Sequence, residues 1–277
     1  MGSLKNPTRA EAAQLAARGL RVLPAVEFRN CTKRFDMPGG GTHVAVDNVN
    51  LSLMPGEFLC VLGPSGHGKS TMLNMLAGFM EPTEGFVLHA GNPVTGPHHE
   101  RGVVFQNDTL FPWLRVTDNI TFGLKARGID KSERERVAAH YLKIIDLERF
   151  SGAYPHQLSG GMRRRVAIAA VLANRPDVFL MDEPFTGLDY VRRAKLYGVL
   201  EDLWTEVGST VFGITHDVDE AVILADRVIV VMHGRIVFDL KVSFARPRTP
   251  ALLESPEALE LRRELLAELG KALGAVA

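Results

Sequence analysis

The chain has 277 residues, 46% of them hydrophobic, which is enough to bury the core of one or two domains. Its 32 Lys and Arg balance 32 Asp and Glu, so bulk charge excludes itself as a way of holding nucleic acid or an anionic membrane. Only Cys31 and Cys60 carry thiols, which excludes a disulfide framework and a CxxC metal or redox pair. The longest apolar runs, such as Val228 to Met232, are strand-sized rather than membrane-spanning. The first residues lack the apolar stretch of a signal peptide, and a reducing cytoplasm is the expected compartment.

Residues 1–24 are Ala-rich, and Thr8 followed by Glu11 forms a capping-box pattern for a short, loosely attached helix. From Val26 the chain turns strand-like: VEFRNCTKRF and AVDNVNLSL alternate as antiparallel strands around the Gly-rich break at 38–41. EFLCVLG at 57–63 is a nearly unbroken apolar strand, and Lys69 to Met80 follows with helical spacing. GFVLHAG at 85–91 and RGVVFQ at 101–106 are further short strands. From about Val116 to Arg175 the pattern is helical. VFLMD at 178–182, STVFGITH at 209–216 and RVIVVMHGRIVFDL at 227–240 return as strands, with helices near 190–206 and 217–225 between them. The last is a hairpin turning at His233-Gly234. Strands alternating with helices predict an α/β fold whose mainly parallel sheet is covered on both faces. The tail, with Leu259, Leu261, Leu265, Leu266 and Leu269, reads as an amphipathic helix docked on its own domain.

Gly63-Pro64-Ser65-Gly66-His67-Gly68-Lys69-Ser70 satisfies GxxxxGK[ST] and sits between an apolar strand and a helix N-terminus, where the mechanism requires it. The glycines let consecutive N–H groups curl around phosphate oxygens, and the helix dipole adds partial positive charge. Lys69 supplies a point charge at the β- and γ-phosphates, Ser70 a hydroxyl for Mg²⁺, and Thr71 lies beside them. Asp182, at the carboxyl end of VFLMD, suits the metal, and Glu183 next to it suits polarisation of an attacking water. The bland alternative, an acidic turn before Pro184, loses force once the phosphate loop is granted.

Leu158-Ser159-Gly160-Gly161-Met162 resembles the LSGGQ signature of ABC ATPases, and the order of motifs is similar to that family across nearly the whole chain. The resemblance implies a P-loop cassette with an antiparallel β-subdomain and a helical subdomain at about 107–175 within a domain at 25–245, followed by a tail at 246–277. It makes Phe35 the aromatic that stacks on adenine, Gln106 the Q-loop glutamine, Asp189 the D-loop aspartate and His216 the switch histidine. Ser159 is a good N-cap, so Gly160 and Gly161 open a second anion-binding helix tip. In the family that tip closes over ATP held by a second subunit, which implies a homodimer with two equal sites. Met162, Arg164 and Ala170 depart from the frequent Gln, Gln and Arg, and His67 stands where a Cys or small residue is common. At His67 the backbone N–H is expected to matter more than the ring.

VVFQNDTLFPWLRVTDNITFGL, residues 103–124, resembles the same segment of nitrate, sulfonate and taurine importer ATPases. That implies an ATP- and Mg²⁺-dependent subunit, peripheral on the cytoplasmic face of the inner membrane, which drives an integral membrane permease supplied by a solute-binding protein. The transported solute is a small anion, and no nucleic acid partner is expected. Phe111, Pro112 and Trp113 either line the groove for the permease or pack the helical subdomain's own core. Two other readings stay open at this point, a soluble ABC ATPase acting on nucleic acid or ribosomes and a nucleotide-gated module without catalysis. His89, His98, His99 and Arg235 are given no role.

Overall fold

A computed structural model describes residues 7, 9–20, 22–107 and 109–274; the cap expected at Thr8 lies outside them. After helix α1 (Arg9–Ala17), strands β1 (Val26–Asp36), β2 (Thr42–Leu53), β4 (Glu84–His89) and β5 (Asn92–Pro93) pair antiparallel in the order β2-β1-β4-β5. A second sheet runs β10-β9-β3-β8-β7-β6, built from β3 (Phe58–Leu62), β6 (Arg101–Val104), β7 (Val178–Asp182), β8 (Thr210–Ile214), β9 (Arg227–Met232) and β10 (Arg235–Lys241). Every pair in it is parallel except the β9–β10 hairpin.

The period-2 alternation of buried strands decides which core each residue joins. Phe58, Cys60 and Leu62 of β3, Phe179 and Met181 of β7, and Val228 and Val230 of β9 enter one cluster. It also takes residues of α5 (Gly160–Leu172), α6 (Tyr190–Val207) and α7 (Val218–Leu224). Leu59, Val61, Val178, Leu180, Ile229 and Val231 point the other way, to α2 (Lys69–Ala77) and the antiparallel sheet. Helices α3 (Val116–Ala126) and α4 (Lys131–Ile144) follow β6 in the chain, and α3 packs against both α4 and α5.

Two expectations change at the ends of the chain. Helix α1 of the N-terminal extension is tied down, because Arg9 Nη1 lies 2.9 Å from Asp226 Oδ2 and Ala12 is buried. The tail helix α8 (Pro256–Gly274) buries Ala258 and Leu265 and pairs Arg262 with Asp219 of α7 at 2.6 Å. Leu266, expected on its buried face, is instead 55% exposed, since the face follows positions 258, 261 and 265. No described helix is long and apolar enough to cross a membrane.

Candidate functional site

The strand order β3-β8-β7-β6 brings four chain segments to one sheet edge, because ligand-facing residues follow the carboxyl ends of parallel strands. The phosphate loop leaves β3, Asp182 ends β7 opposite Ile214 of β8, His216 follows β8, and Gln106 follows β6.

The loop itself is shaped by glycine. Gly68 precedes α2 at φ 100°, and a Cβ there would meet the Ala45 carbonyl oxygen at 2.1 Å, so no other residue fits without displacing backbone. Gly63 is held as closely, 2.3 Å from Val231 O by the same measure. Lys69 is buried and its Nζ donates to the carbonyls of Gly63 at 2.7 Å and Pro64 at 2.8 Å. Burial lowers its pKa, against the carboxylates of Glu183 and Asp182, which raise it. Pro64, Ser65 and Gly66 form the outer rim, Ser70 is exposed on the first turn of α2, and Thr71 is half-buried next to it.

The His67 ring, expected to matter less than the backbone N–H, has contacts of its own. His233 donates its backbone N–H to His67 Nδ1 at 3.0 Å, and the two rings lie 4.8 Å apart. Gly234 N also donates to His67 O at 3.2 Å, so the β9–β10 turn braces the loop from both sides of this residue. Burial, His233 and Lys69 all lower the His67 pKa, which favours the neutral ring that this acceptor role requires.

Ser70 Oγ donates to Asp182 Oδ1 at 3.3 Å. A hydroxyl and a carboxylate side by side are the oxygen donors a hard divalent cation takes, so the pair fits Mg²⁺ chemically. Burial raises the pKa of Asp182, while the Ser70 bond lowers it. Glu183 adopts φ 47°, a conformation non-glycine residues seldom take, and its N–H donates to Ile214 O at 3.0 Å. Its Oε2 accepts from Thr186 Oγ1 at 3.2 Å and lies 3.1 Å from His216 Nδ1. Behind His216, Thr215 Oγ1 bonds the buried Glu220, and Arg193 of α6 pairs with Asp217 and Glu220.

The remaining residues sit at the margins of this cluster. Ser159 Oγ accepts from Met162 N at 3.3 Å and caps α5, and Ser159 and Gly160 are exposed, leaving that helix tip open to an anion. Gly161 faces Arg192 of α6, whose own N-cap is Asp189, accepting from Arg192 N at 3.0 Å. Phe35, near the end of β1, is partly exposed, with Lys33 Nζ 5.4 Å from its ring centroid. Gln106 is exposed beyond β6.

Residues 46–186 match the ABC transporter family. The chain belongs to that family. It is 48% identical over 248 residues to an uncharacterized ABC transporter ATP-binding protein of Methanocaldococcus jannaschii, covering 89% of this chain and 91% of the relative. A taurine import ATP-binding protein of Jannaschia sp. is 42% identical, covering 88% of this chain and 93% of its own length. A nitrate import ATP-binding protein of Synechococcus elongatus is 45% identical, with 84% and 87% covered. The fold matches a dimeric ATP-binding cassette in a post-hydrolysis state bound to ADP and Pi, at TM-score 0.70 and 35% identity over 79% of this chain and all of that one. The protein is thus an ABC cassette and an ATPase by family, with the α/β architecture expected from its sequence.

Motif reading left three supports of this site unseen. Asn119 is buried in α3; its Oδ1 accepts from Phe111 N at 2.8 Å and its Nδ2 donates to Leu114 O at 3.0 Å, fixing the segment after Gln106. The Arg193–Asp217–Glu220 group joins α6 to the segment that follows His216. Arg164 holds the carbonyls of Phe105 and Gln106. The Arg164 and Arg193 contacts join residues 24 to 59 positions apart, and the Asn119 bonds depend on how the chain folds back between Phe111 and Leu114, so none matches a motif.

Proposed function

We propose that this cassette is the ATP-hydrolysing subunit of an importer, working as a homodimer that drives a separate membrane permease. The cluster of Lys69, Ser70, Asp182, Glu183 and His216 at one sheet edge carries the reading. Lys69 contacts the β- and γ-phosphates once it exchanges its two loop carbonyls for phosphate oxygens. Ser70, Asp182 and Gln106 would hold Mg²⁺, which when bound neutralises charge developing on the phosphates. Glu183 accepts the proton of the attacking water at its carboxylate, and His216 orients that carboxylate through the 3.1 Å contact at Oε2. Phe35 stacks on the adenine, and residues 63–71 of the loop bind the triphosphate. Ser159, Gly160, Gly161 and Asp189 act on the nucleotide of the second subunit.

The imported solute is a small anion of the taurine or nitrate kind, as in the names of the relatives. A solute-binding protein delivers it, and the cassette sits peripherally on the cytoplasmic face of the inner membrane. In this reading the ATPase domain is 25–245, with 107–175 as its helical part and 1–24 and 246–277 flanking it. Support for a permease contact comes from the aromatic ridge after Gln106. Phe111 lies 4.4 Å from Phe122 and 5.6 Å from Trp113 by ring centroids, while Trp113 is 70% exposed. Trp113 therefore does not pack the subdomain's own core, and Phe111 and Phe122 border a 390 Å³ groove running to Arg127 and Asn174.

Co-expression with a candidate permease, followed by affinity capture through the cassette, tests the assignment. Capture of wild type with loss in Trp113→Asp supports it. A cassette that hydrolyses ATP yet associates with no membrane protein would return the reading to a soluble ABC ATPase.

A further inference from the structure

Three consecutive arginines follow the signature on α5, and helix geometry spreads them about 100° apart around its axis. Arg163 Nη1 donates to Leu158 O at 2.9 Å, within the signature turn itself. Arg165 Nη1 donates to Ile145 O, just past the end of α4. Arg164 reaches out of the helical layer. Its Nη1 donates to Phe105 O at 2.6 Å and its Nη2 to Gln106 O, bridging nearly sixty residues of sequence. Arg164 is also buried, 6% exposed, so these charge-assisted bonds are made out of water, where losing one costs more than at a surface.

The guanidinium forks onto successive carbonyls, which a single ammonium or amide nitrogen cannot match in the same geometry. Phe105 and Gln106 are the first residues beyond β6. Fixing both carbonyls sets the direction in which the chain leaves the sheet, and therefore where the Gln106 side chain stands. The same helix carries Ser159 at its tip, about a turn and a half from Arg164. We propose that Arg164 is a positioning residue that locks the start of the Gln106 loop to the signature helix, so that Gln106 and the Ser159 tip move as one body during the ATP cycle. The proposal rests on the reading of Gln106 as a residue that meets the metal or the attacking water.

Full-length Arg164→Met, Arg164→Lys, Gln106→Ala and Arg164→Met/Gln106→Ala test it through ATPase kinetics and amide hydrogen exchange. In Arg164→Met, exchange at residues 105–107 rises about tenfold or more, while the amides of α2 and β7 keep wild-type rates. Its kcat falls about 10- to 100-fold, the scale on which small misplacements act, with KM for ATP nearly unchanged. The double variant is no slower than Gln106→Ala, because Arg164 acts through Gln106. Arg164→Lys, which keeps one donor, recovers part of kcat. Unchanged exchange at 105–107, or losses that multiply in the double variant, overturns the clamp. Normal kcat in Gln106→Ala with raised exchange in Arg164→Met overturns only the role given to Gln106. If Arg164→Met does not fold, Arg164→Lys takes its place in the cycle and must show a smaller rise in exchange at the same residues and the same lack of additivity.

Discussion

His216 Nδ1 stands 3.1 Å from Glu183 Oε2, joining the second residue after β8 to the first residue after β7 across two neighbouring parallel strands. Thr186 holds the same carboxylate oxygen from the other side. Glu183 therefore has its orientation set by two partners as well as by an unusual backbone angle. We expect Glu183→Gln to lower kcat by about 10² to 10⁴ and to accumulate an ATP-bound dimer, since an amide accepts no proton from water. His216→Ala should lose about 10² in kcat with little change in KM. The double variant should be no worse than Glu183→Gln alone, because both act on one proton transfer. Steady-state ATPase assays and size-exclusion chromatography with ATP read each outcome, and full activity in Glu183→Gln would remove it from the base role.

Phe35 presents a partly exposed ring with no core to support, so its removal leaves the fold intact. Base stacking on an aromatic is worth about 1–3 kcal/mol. Phe35→Ala should therefore raise KM for ATP about 5- to 100-fold at nearly constant kcat, and Phe35→Tyr should restore it. A nucleotide titration by fluorescence or calorimetry checks this, and equal affinity in Phe35→Ala would move the adenine elsewhere.

Ser159 caps α5 with its side chain and stays exposed. Aspartate caps helices as well as serine does, so Ser159→Asp should keep the melting temperature and the ATP affinity of the isolated subunit. It adds a negative charge where, in the proposed dimer, the partner's γ-phosphate approaches. ATP-dependent dimerisation should disappear and kcat should fall at least about 10²-fold. Retained dimers in analytical ultracentrifugation would show that the tip does not face nucleotide.

Two buried groups tilt stability with pH in opposite directions. Burial pushes the Glu220 carboxyl up from 4.5 to about 7, with Asp217 adding to the rise and Thr215, Arg193 and His216 opposing it. Its contribution is greatest below pH 4.5 and is lost as pH rises toward 7, because the folded state keeps a proton the unfolded chain releases. His89, buried between Glu100 and Asp177, is pushed down from 6.5 to about 4, first by burial and then by Arg101. Its contribution is full above pH 6.5 and is lost as pH falls toward 4. Relative to wild type, Glu220→Gln should gain melting temperature progressively from pH 4.5 to 7, and His89→Asn should lose less at pH 4.5 than at pH 7. Calorimetry across that range decides it, and pH-independent differences for both variants would contradict the buried-charge account.

How much could be read from residues alone differs by element. The phosphate loop, the Asp182–Glu183 pair and the Ser159 tip were legible because each is a local device. A glycine pattern, a strand end and an N-cap depend on neighbours within about one turn of chain. The strands were legible for the same reason, since unbroken apolar runs and alternating ones state how many faces are buried. Even so, GFVLHAG and RGVVFQ read alike as short strands, and only folding sent β4 to the antiparallel sheet and β6 to the parallel one.

The sequence by itself determined which groups could do chemistry on a triphosphate and in what order they occur. Tertiary structure decided what holds those groups in place. It turned the His67 ring into an acceptor for His233, set Arg193 behind His216 through Asp217 and Glu220, and closed Arg164 onto Phe105 and Gln106. Those contacts join residues 24 to 166 positions apart, and a guanidinium or imidazole finds its carbonyl, carboxylate or N–H only after the strand order has brought the two chain segments together.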